Sequence, residues 1–425
     1  MDKKILIIIA AVAVCVIAAA AALILLNGDN SPSEKVEQTD RLMILGNANN
    51  DDYIDNKDIT TLNSIIKAGT WDKKTHPYAD ANNDGKITES DVDFVRQMIQ
   101  KKEMKIFYVD RDGNIDNLMY PLTKIVTVGT YTANIAVELG ICDKVGGISG
   151  SKTWSNSDMW ADLKDKPQIS SNSITADIGL VSKVGGVDGV LTTGIDNADD
   201  FEKANIDVVK LDYSGENELG ATLMLGYFIQ AEERSHKIAE FFDEVYAKLD
   251  KVVAKHASEP VMTAVVVYME KYVYSDAGSH GSIADKAGID NAWKYNSGTD
   301  TANYLKVAAG SEWIRNENWK NASVIIGQEK WLYADGIDVE ATWKAYEDYY
   351  SSIKAFPKKT CLVNESMTLP VQVAYLMEWL FPDDVESGYG DKMHQKYIDT
   401  FVDALSGNYD VTKRGAFFFT GENRS

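Results

Sequence analysis

The sequence predicts an α/β protein: two α/β lobes joined by one long helix, preceded by a small all-α module of paired calcium loops and an apolar N-terminal helix. Three observations carry that prediction. Short apolar runs alternate with helical stretches from about residue 105 onward, a polar loop pattern opening at Asn47 repeats at Asp80, and one long apolar run begins the chain. At 425 residues the chain exceeds what a single hydrophobic core usually serves. Its 43 Lys and Arg against 64 Asp and Glu give a formal charge of −21, which argues against nucleic acid as a partner, because phosphate binding needs clustered cations. With 45% hydrophobic and 10% aromatic residues it can bury sizeable cores.

Ile5 to Leu26 is uninterrupted apolar sequence, long enough as a helix to cross a hydrocarbon core of ~30 Å. Lys3 and Lys4 precede it and the next cation is Lys35, so the positive-inside bias puts the N-terminus in the cytoplasm and the body outside. Residues 1–27 therefore read as a transmembrane anchor at the cell membrane. The alternative is a cleaved signal peptide, with Ala18 to Ala22 offering small residues to a peptidase. Residues 28–40 are polar and read as a linker. Beyond Cys15, only Cys142 and Cys361 remain, so at most one disulfide is possible.

Residues 41–103 hold the repeat. In the second copy Asp80, Asn82, Asp84, Lys86 through its carbonyl, Thr88 and Asp91 occupy positions 1, 3, 5, 7, 9 and 12 of a calcium loop, with Gly85 at the sharp turn. The first copy places Asn47, Asn49, Asp51, Tyr53 (carbonyl), Asp55 and Asp58 in the same register. It departs from the pattern twice. Asn47 lowers the ligand charge, and Asp52 stands where Gly would take a left-handed backbone, so this loop is expected to hold Ca2+ more weakly. Both loops end in Asp and each is followed, not preceded, by a convincing helix. In this the module resembles type I dockerin. The resemblance implies two calcium sites and a cohesin partner, contacted through loop positions 10 and 11, here Asn56, Lys57, Glu89 and Ser90.

From residue 105, KIFYVDRDGNIDNLMY alternates apolar and polar residues around Asp112-Gly113, the chemistry of a hairpin; a third calcium site at Asp110 and Asp112 is the alternative. KIVTVG, VGGIS, GVLTTG and DVVKLD follow as buried strands with helices between them, the rhythm of a parallel sheet, and complete lobe one over residues 105–230. Residues 231–257 form the long connecting helix, with Ile238, Phe241, Phe242, Val245, Leu249, Val252 and Val253 on one stripe. In lobe two, residues 258–425, VMTAVVVYM, ASVIIG and CLVN are strands and Val371 to Leu380 a closing helix.

Ligands in open α/β sheets sit beyond the carboxyl ends of the strands. The cleft candidates are therefore Thr130, Tyr131, Ser151, Lys152, Trp154 and Thr193 in lobe one, with Met269, Lys271, Tyr272, His280, Gln328 and Trp331 in lobe two. They suit stacking on a planar ligand and bonding to its edges. His280, flanked by glycine, could ligate a chelated metal or remain a solvated loop residue; Tyr131 and Tyr272 could act as phenolate ligands. No G-x-S-x-G, phosphate-binding loop or H-E-x-x-H motif is present, and the five histidines are dispersed, so binding without catalysis is expected. Asn321 and Asn364 begin glycosylation sequons.

FYVDRDGNIDNLMYPLTKIVTVG, AVELGICDKVGGIS, KAGIDNAW and WLFPDDV with HQKYIDTF resemble, in this order, the landmarks of the helical-backbone (class III) substrate-binding proteins of ABC transporters. The resemblance covers residues from about 105 to 420. It implies a periplasmic-binding-protein-like fold and an extracytoplasmic protein that captures a ferric siderophore, haem or corrinoid between its lobes. It also implies docking on a permease through one acidic residue per lobe, for which Asp177 and Glu312 stand at matching places. A calcium-dependent surface assembly protein acting through the dockerin-like module is the alternative.

Overall fold

The computed structural model describes residues 41–149, 157–170, 175–213, 217–278, 280–297, 300, 302–307 and 317–421. The anchor and linker read in residues 1–40 lie outside the described residues, as do Ser151, Lys152, Trp154 and Glu312. Among the described residues no helix is long and apolar enough to cross a membrane.

Each calcium-type loop leads into a helix that its own side chains start. Asp55 caps α1 (Asn56–Ala68) and Thr88 caps α2 (Glu89–Ile99), and both ends are capping boxes closed by the loops' last aspartates, Asp58 and Asp91. The expected left-handed strain at Asp52 is corrected: Asp52 does not take a positive φ, although Asn50 does, at 56°, as Asn83 does at the matching place in the second loop. Asp52 instead pairs with Arg41 at 3.3 Å. Gly85 does adopt the positive φ, 86°, expected of it.

The module continues into a hairpin, β1 (Met104–Val109) and β2 (Ile115–Tyr120), paired antiparallel. At its turn Asp110 Oδ1 accepts from the N–H groups of Asp112 and Asn114, at 2.9 and 2.7 Å, and Asp112 pairs with Lys210. Those carboxylates hold a turn. Lobe one follows as β3 (Ile125–Val128), α3 (Thr130–Glu138), β4 (Val145–Ser149), β5 (Gln168–Ser170), α4 (Ile178–Val184), β6 (Gly189–Thr192), α5 (Ala198–Lys203) and β7 (Asp207–Lys210). Its strands form an all-parallel sheet in the order β5-β4-β3-β6-β7, and the run Ile125–Val128 is buried at every position because helices cover both faces.

Two helices link the lobes. All residues of α6 (Glu218–Phe228) are buried, whereas α7 (Glu232–His256) buries one stripe and exposes the other, as the sequence pattern requires. Lobe two comprises β8 (Thr263–Tyr268), β9 (Tyr272–Tyr274), α8 (Ile283–Lys286), β10 (Asp290–Asn291), β11 (Tyr304–Lys306), α9 (Glu317–Lys320), β12 (Val324–Glu329), α10 (Val339–Tyr350), β13 (Thr360–Asn364), α11 (Leu369–Leu380), α12 (Tyr389–Phe401) and β14 (Phe418–Thr420). Its sheet, β11-β9-β8-β12-β13-β14 with β10 beside β8, is parallel at the centre and antiparallel at β9, β11 and β14. Cys142 and Cys361 are both free thiols. Asn364 is fully buried, its amide bonded to the carbonyls of Leu332 and Ala416 at 2.9 and 3.0 Å, which corrects its reading as a glycan acceptor.

Candidate functional site

Residues at or just after the carboxyl ends of β3, β12 and β13 line one cavity of about 70 Å3, to which both lobes contribute. Three of the residues read from the sequence line it: Tyr131, His280 and Gln328. Tyr131 reaches it from the first turn of α3, Gln328 from the end of β12, and His280 from the loop after β9. Gln328 Nε2 donates to the His280 carbonyl at 2.6 Å and its Oε1 lies 3.3 Å from His280 Nδ1, so the loop is tied to the sheet. The imidazole stacks on Tyr268 at 3.8 Å and burial pushes its pKa down to about 4. It is therefore neutral at pH 7, poised to donate or accept a hydrogen bond and not to carry charge.

The other candidates lie elsewhere. Trp331 belongs to the core of lobe two, 6% exposed and edge-on to Phe419 at 5.6 Å, because the chain turns inward after β12. Met269 occupies the turn joining β8 to β9 with a φ of 46°, and the adjacent Lys271 pairs with Glu270. Tyr272 stands on β9 with its ring 6.1 Å from Tyr304. Thr193 spends its carbonyl on Arg111 Nη1 at 2.7 Å, fastening the hairpin to lobe one. Thr130 is the first residue of α3 and is not part of the cavity lining.

Sequence reasoning missed the acids. Glu138 at the end of α3, Glu218 at the start of α6 and Glu365 just after β13 all line the cavity and are at most 8% exposed. Glu218 Oε1 accepts from Thr368 Oγ1 at 2.6 Å, Glu138 Oε1 from the Tyr397 hydroxyl at 2.6 Å, and Glu365 Oε2 from the Tyr131 hydroxyl at 3.4 Å. Burial raises the pKa of all three. The Glu365 carboxylate in turn pushes the Tyr131 phenol well above its ordinary range, so that side chain is a neutral donor unless a cation joins it. The available signal was a lone carboxylate inside an otherwise apolar stretch, as in NIAVELG and NELGATLML.

In the calcium-type loops the oxygen donors face inward in both copies. Asp84 N–H donates to Asp80 Oδ1 and Asn82 Oδ1, each at 3.0 Å, and Asn82 N–H to Asp91 Oδ1 at 3.3 Å. The first loop repeats this: Asp51 N–H donates to Asn47 Oδ1 and Asn49 Oδ1 at 3.1 and 3.2 Å, and Asn49 N–H to Asp58 Oδ1 at 3.2 Å. Asp58 and Asp91 are fully buried, and burial pushes the Asp58 carboxyl up to about 7. Tyr53, Asp55, Lys86 and Thr88 complete the two loops at their expected places, Tyr53 with its N–H on Asp51 Oδ1 at 2.8 Å and Lys86 with its N–H on Asp84 Oδ1 at 2.9 Å. Hard oxygen donors of net negative charge around buried carboxylates fit a calcium ion. Among the described residues no group of three or more His, Cys, Asp or Glu side chains forms a ready metal site, in the loops or in the cavity.

Residues 45–100 match the dockerin type I domain family, which implies calcium binding. No curated protein matches the chain. Among solved structures it is similar to FepB, a TroA-like periplasmic binding protein of Veillonella parvula, at 16% identity and a TM-score of 0.56, over 74% of this chain and 99% of that one. It is similar also to the molybdate-bound periplasmic binding protein MolA of Haemophilus influenzae, at 15% identity and a TM-score of 0.54, over 70% of this chain and 97% of that one. Helicobacter pylori CeuE, in a nickel-histidine complex, matches at 15% identity and a TM-score of 0.51, over 71% of this chain and 96% of that one. At such identities the likeness shows the fold, that of two-lobed periplasmic binding proteins.

Proposed function

We propose that this chain is the extracytoplasmic solute-binding component of an ABC importer, taking a metal-bearing solute such as a ferric siderophore, haem or corrinoid between its lobes and handing it to a permease. The observation that carries this reading is the cavity bounded by the strand ends of both sheets, with Tyr131, His280 and Gln328 at its wall. The long helix α7 follows α6 in the link between the lobes, so closure is a small adjustment about it and no chemistry on the solute is called for. The Velcro of such a system, permease docking, would use acidic groups on the outer face of each lobe. Asp177 is exposed at the start of α4, where its Oδ1 accepts from Leu180 N–H at 2.9 Å; Glu312 is the proposed counterpart on lobe two. The body would stand outside the cell, held by the apolar N-terminal segment.

The test is a thermal-shift and absorbance screen of the full chain at fixed calcium against haem, cobalamin and several ferric siderophores. Ligand at 100 times its Kd stabilises the native state by about 2.7 kcal/mol, so a true solute raises the melting temperature measurably. A flat response across the whole panel rejects metal-chelate uptake.

A second reading rests on a separate observation, the dockerin match over residues 45–100. Asn56, Lys57, Glu89 and Ser90 are all exposed, as residues that meet a partner must be. In that reading two Ca2+ ions order the loops and the module recruits a cohesin-bearing protein at the cell surface. Calcium-dependent capture of a cohesin by the full chain, lost in Asp80→Asn with Asp91→Asn, is the expected result; capture that survives chelation rejects it.

A further inference from the structure

The cavity's charge points to the kind of solute it takes. Glu138, Glu218 and Glu365 arrive from three separate elements, and no Lys or Arg is among the described residues lining the space. Lys330 approaches from outside the lining, 3.8 Å from Glu365 Oε1, and is one cation against three carboxylates. Each acid has one donor within the fold and burial raises all three pKa values, so a cation entering among them would gain by drawing the acids into their charged form.

A second observation is independent of that count. Three oxygen atoms on the cavity's lining residues have no hydrogen-bond partner among the described residues: Glu138 Oε2, Ser366 Oγ and Gln372 Oε1. The three residues are 2%, 5% and 6% exposed. The rest of each group is firmly placed. Gln372 Nε2 donates to the Met367 carbonyl at 2.7 Å, and the Tyr397 hydroxyl holds Glu138 through its other oxygen. Buried acceptors without donors are rare and call for a partner that brings N–H groups, O–H groups or positive charge. Of the aromatic rings here His280 lines the cavity, held in place by stacking on Tyr268 at 3.8 Å and by an edge contact to Tyr274 at 5.0 Å.

We propose that the cleft selects a cationic solute, whose positive group lies among Glu138, Glu218 and Glu365 and is bound also by the free oxygens of Ser366 and Gln372. The proposal rests on the solute-binding reading and narrows it. A metal ion or cationic metal complex and an organic ammonium compound share the required chemistry, and an anionic chelate lacks it.

Isothermal titration of the full chain at fixed calcium decides the matter, with manganese(II) chloride, hexaamminecobalt(III) and spermidine as cationic probes and molybdate and ferric citrate as anionic ones. At least one cation should bind about tenfold or more tightly than either anion. Glu218→Gln and Glu365→Gln should each weaken it about tenfold, and Ser366→Ala, which removes a free oxygen without altering charge or shape, should weaken it less. Binding of manganese alone that survives these changes but is lost in Asp80→Asn belongs to the calcium-type loops and overturns the proposal. Manganese or hexaamminecobalt binding that the cleft changes abolish identifies a metal source, and spermidine binding an organic one. Tighter binding of an anion, unaffected by the Gln variants, overturns cation selection while leaving solute binding intact. Heat-stable, folded protein that binds neither these probes nor the chelates of the preceding screen overturns both.

Discussion

Glu329 ends β12 with its carboxylate 6% exposed. One oxygen accepts from the Tyr346 hydroxyl at 2.7 Å and from Glu270 N–H at 3.3 Å, while the Glu270 and Glu365 carboxylates oppose its charge. Burial leads these effects and pushes its pKa from 4.5 up to about 7. Between those values the folded chain holds a proton that the unfolded chain has released. Stability from this group is therefore complete below about pH 4.5 and declines as pH rises to about 7, by up to about 1.4 kcal/mol per unit. Glu329→Gln keeps an acceptor for Tyr346 and removes the charge. It should flatten the fall in stability between pH 5 and 8 and leave the variant about 2–3 kcal/mol more stable at pH 8. Urea unfolding at the two pH values measures this; parallel curves for the two proteins would show that the carboxylate is not buried in its charged form. Asp58, Glu138 and Glu218 push in the same direction, so some slope remains in the variant.

At the level of elements, the corner between α6 and α7 sets how the long helix leaves lobe one. Ala231 N–H bonds the Gly226 carbonyl at 2.7 Å, and a β-carbon at Gly226 would overlap both Oγ and Cβ of Ser235. The close approach of the helices thus depends on the missing side chain. Gly226→Ala should cost about 1–3 kcal/mol as an overpacked contact, and adding Ser235→Gly should return much of it, because the overlapping atoms are gone. Unfolding of the two variants and the wild type checks both halves of this expectation. The same corner shows what the sequence makes legible. The helix α7 alternates Ile238, Phe241, Phe242 and Val245 with charges and is visible from its period, whereas α6 is buried on every side and has no period to read. Strands β9, β10 and β11 are two or three residues long in a Gly-rich polar stretch, below the length at which alternation shows, and β14 joins its sheet from the far end of the chain. In the site, Tyr131, His280 and Gln328 were legible as residues that follow strands. Glu138, Glu218 and Glu365 were not, since only the tertiary fold turns three isolated acids toward one space.

The calcium-type module is part of the body at the scale of the whole molecule. Leu42, Ile44, Leu62, Val92, Val95 and Met98 belong to the same buried cluster as Ile106, Tyr108, Leu118 and Phe228. Residues before the first loop extend the hairpin, with Leu45 N–H on the Phe107 carbonyl and Val109 N–H on that of Met43, each at 2.9 Å. The first loop also leans on α7: Arg41 joins Asp52 to Asp243, His236 Nε2 meets the Asp52 carbonyl at 2.8 Å, and its ring lies 4.0 Å from that of Tyr53. A module that melted alone would have to leave Ile106 and Tyr108 uncovered, at about 25 cal/mol per Å2 of apolar surface, so its unfolding is tied to that of the lobes. Calcium bound in the loops should therefore stabilise the whole of residues 40–425, which form one compact unit. Calorimetry of the calcium-loaded chain should show one transition for this unit, and chelation should move that transition down by several degrees without splitting it. Asp91→Asn keeps an oxygen for Thr88 N–H, which bonds Asp91 Oδ2 at 2.8 Å, but removes charge from the second loop. Its transition should respond less to chelation than the wild type. A separate low-temperature transition that disappears with calcium would show instead that the module unfolds independently of the lobes.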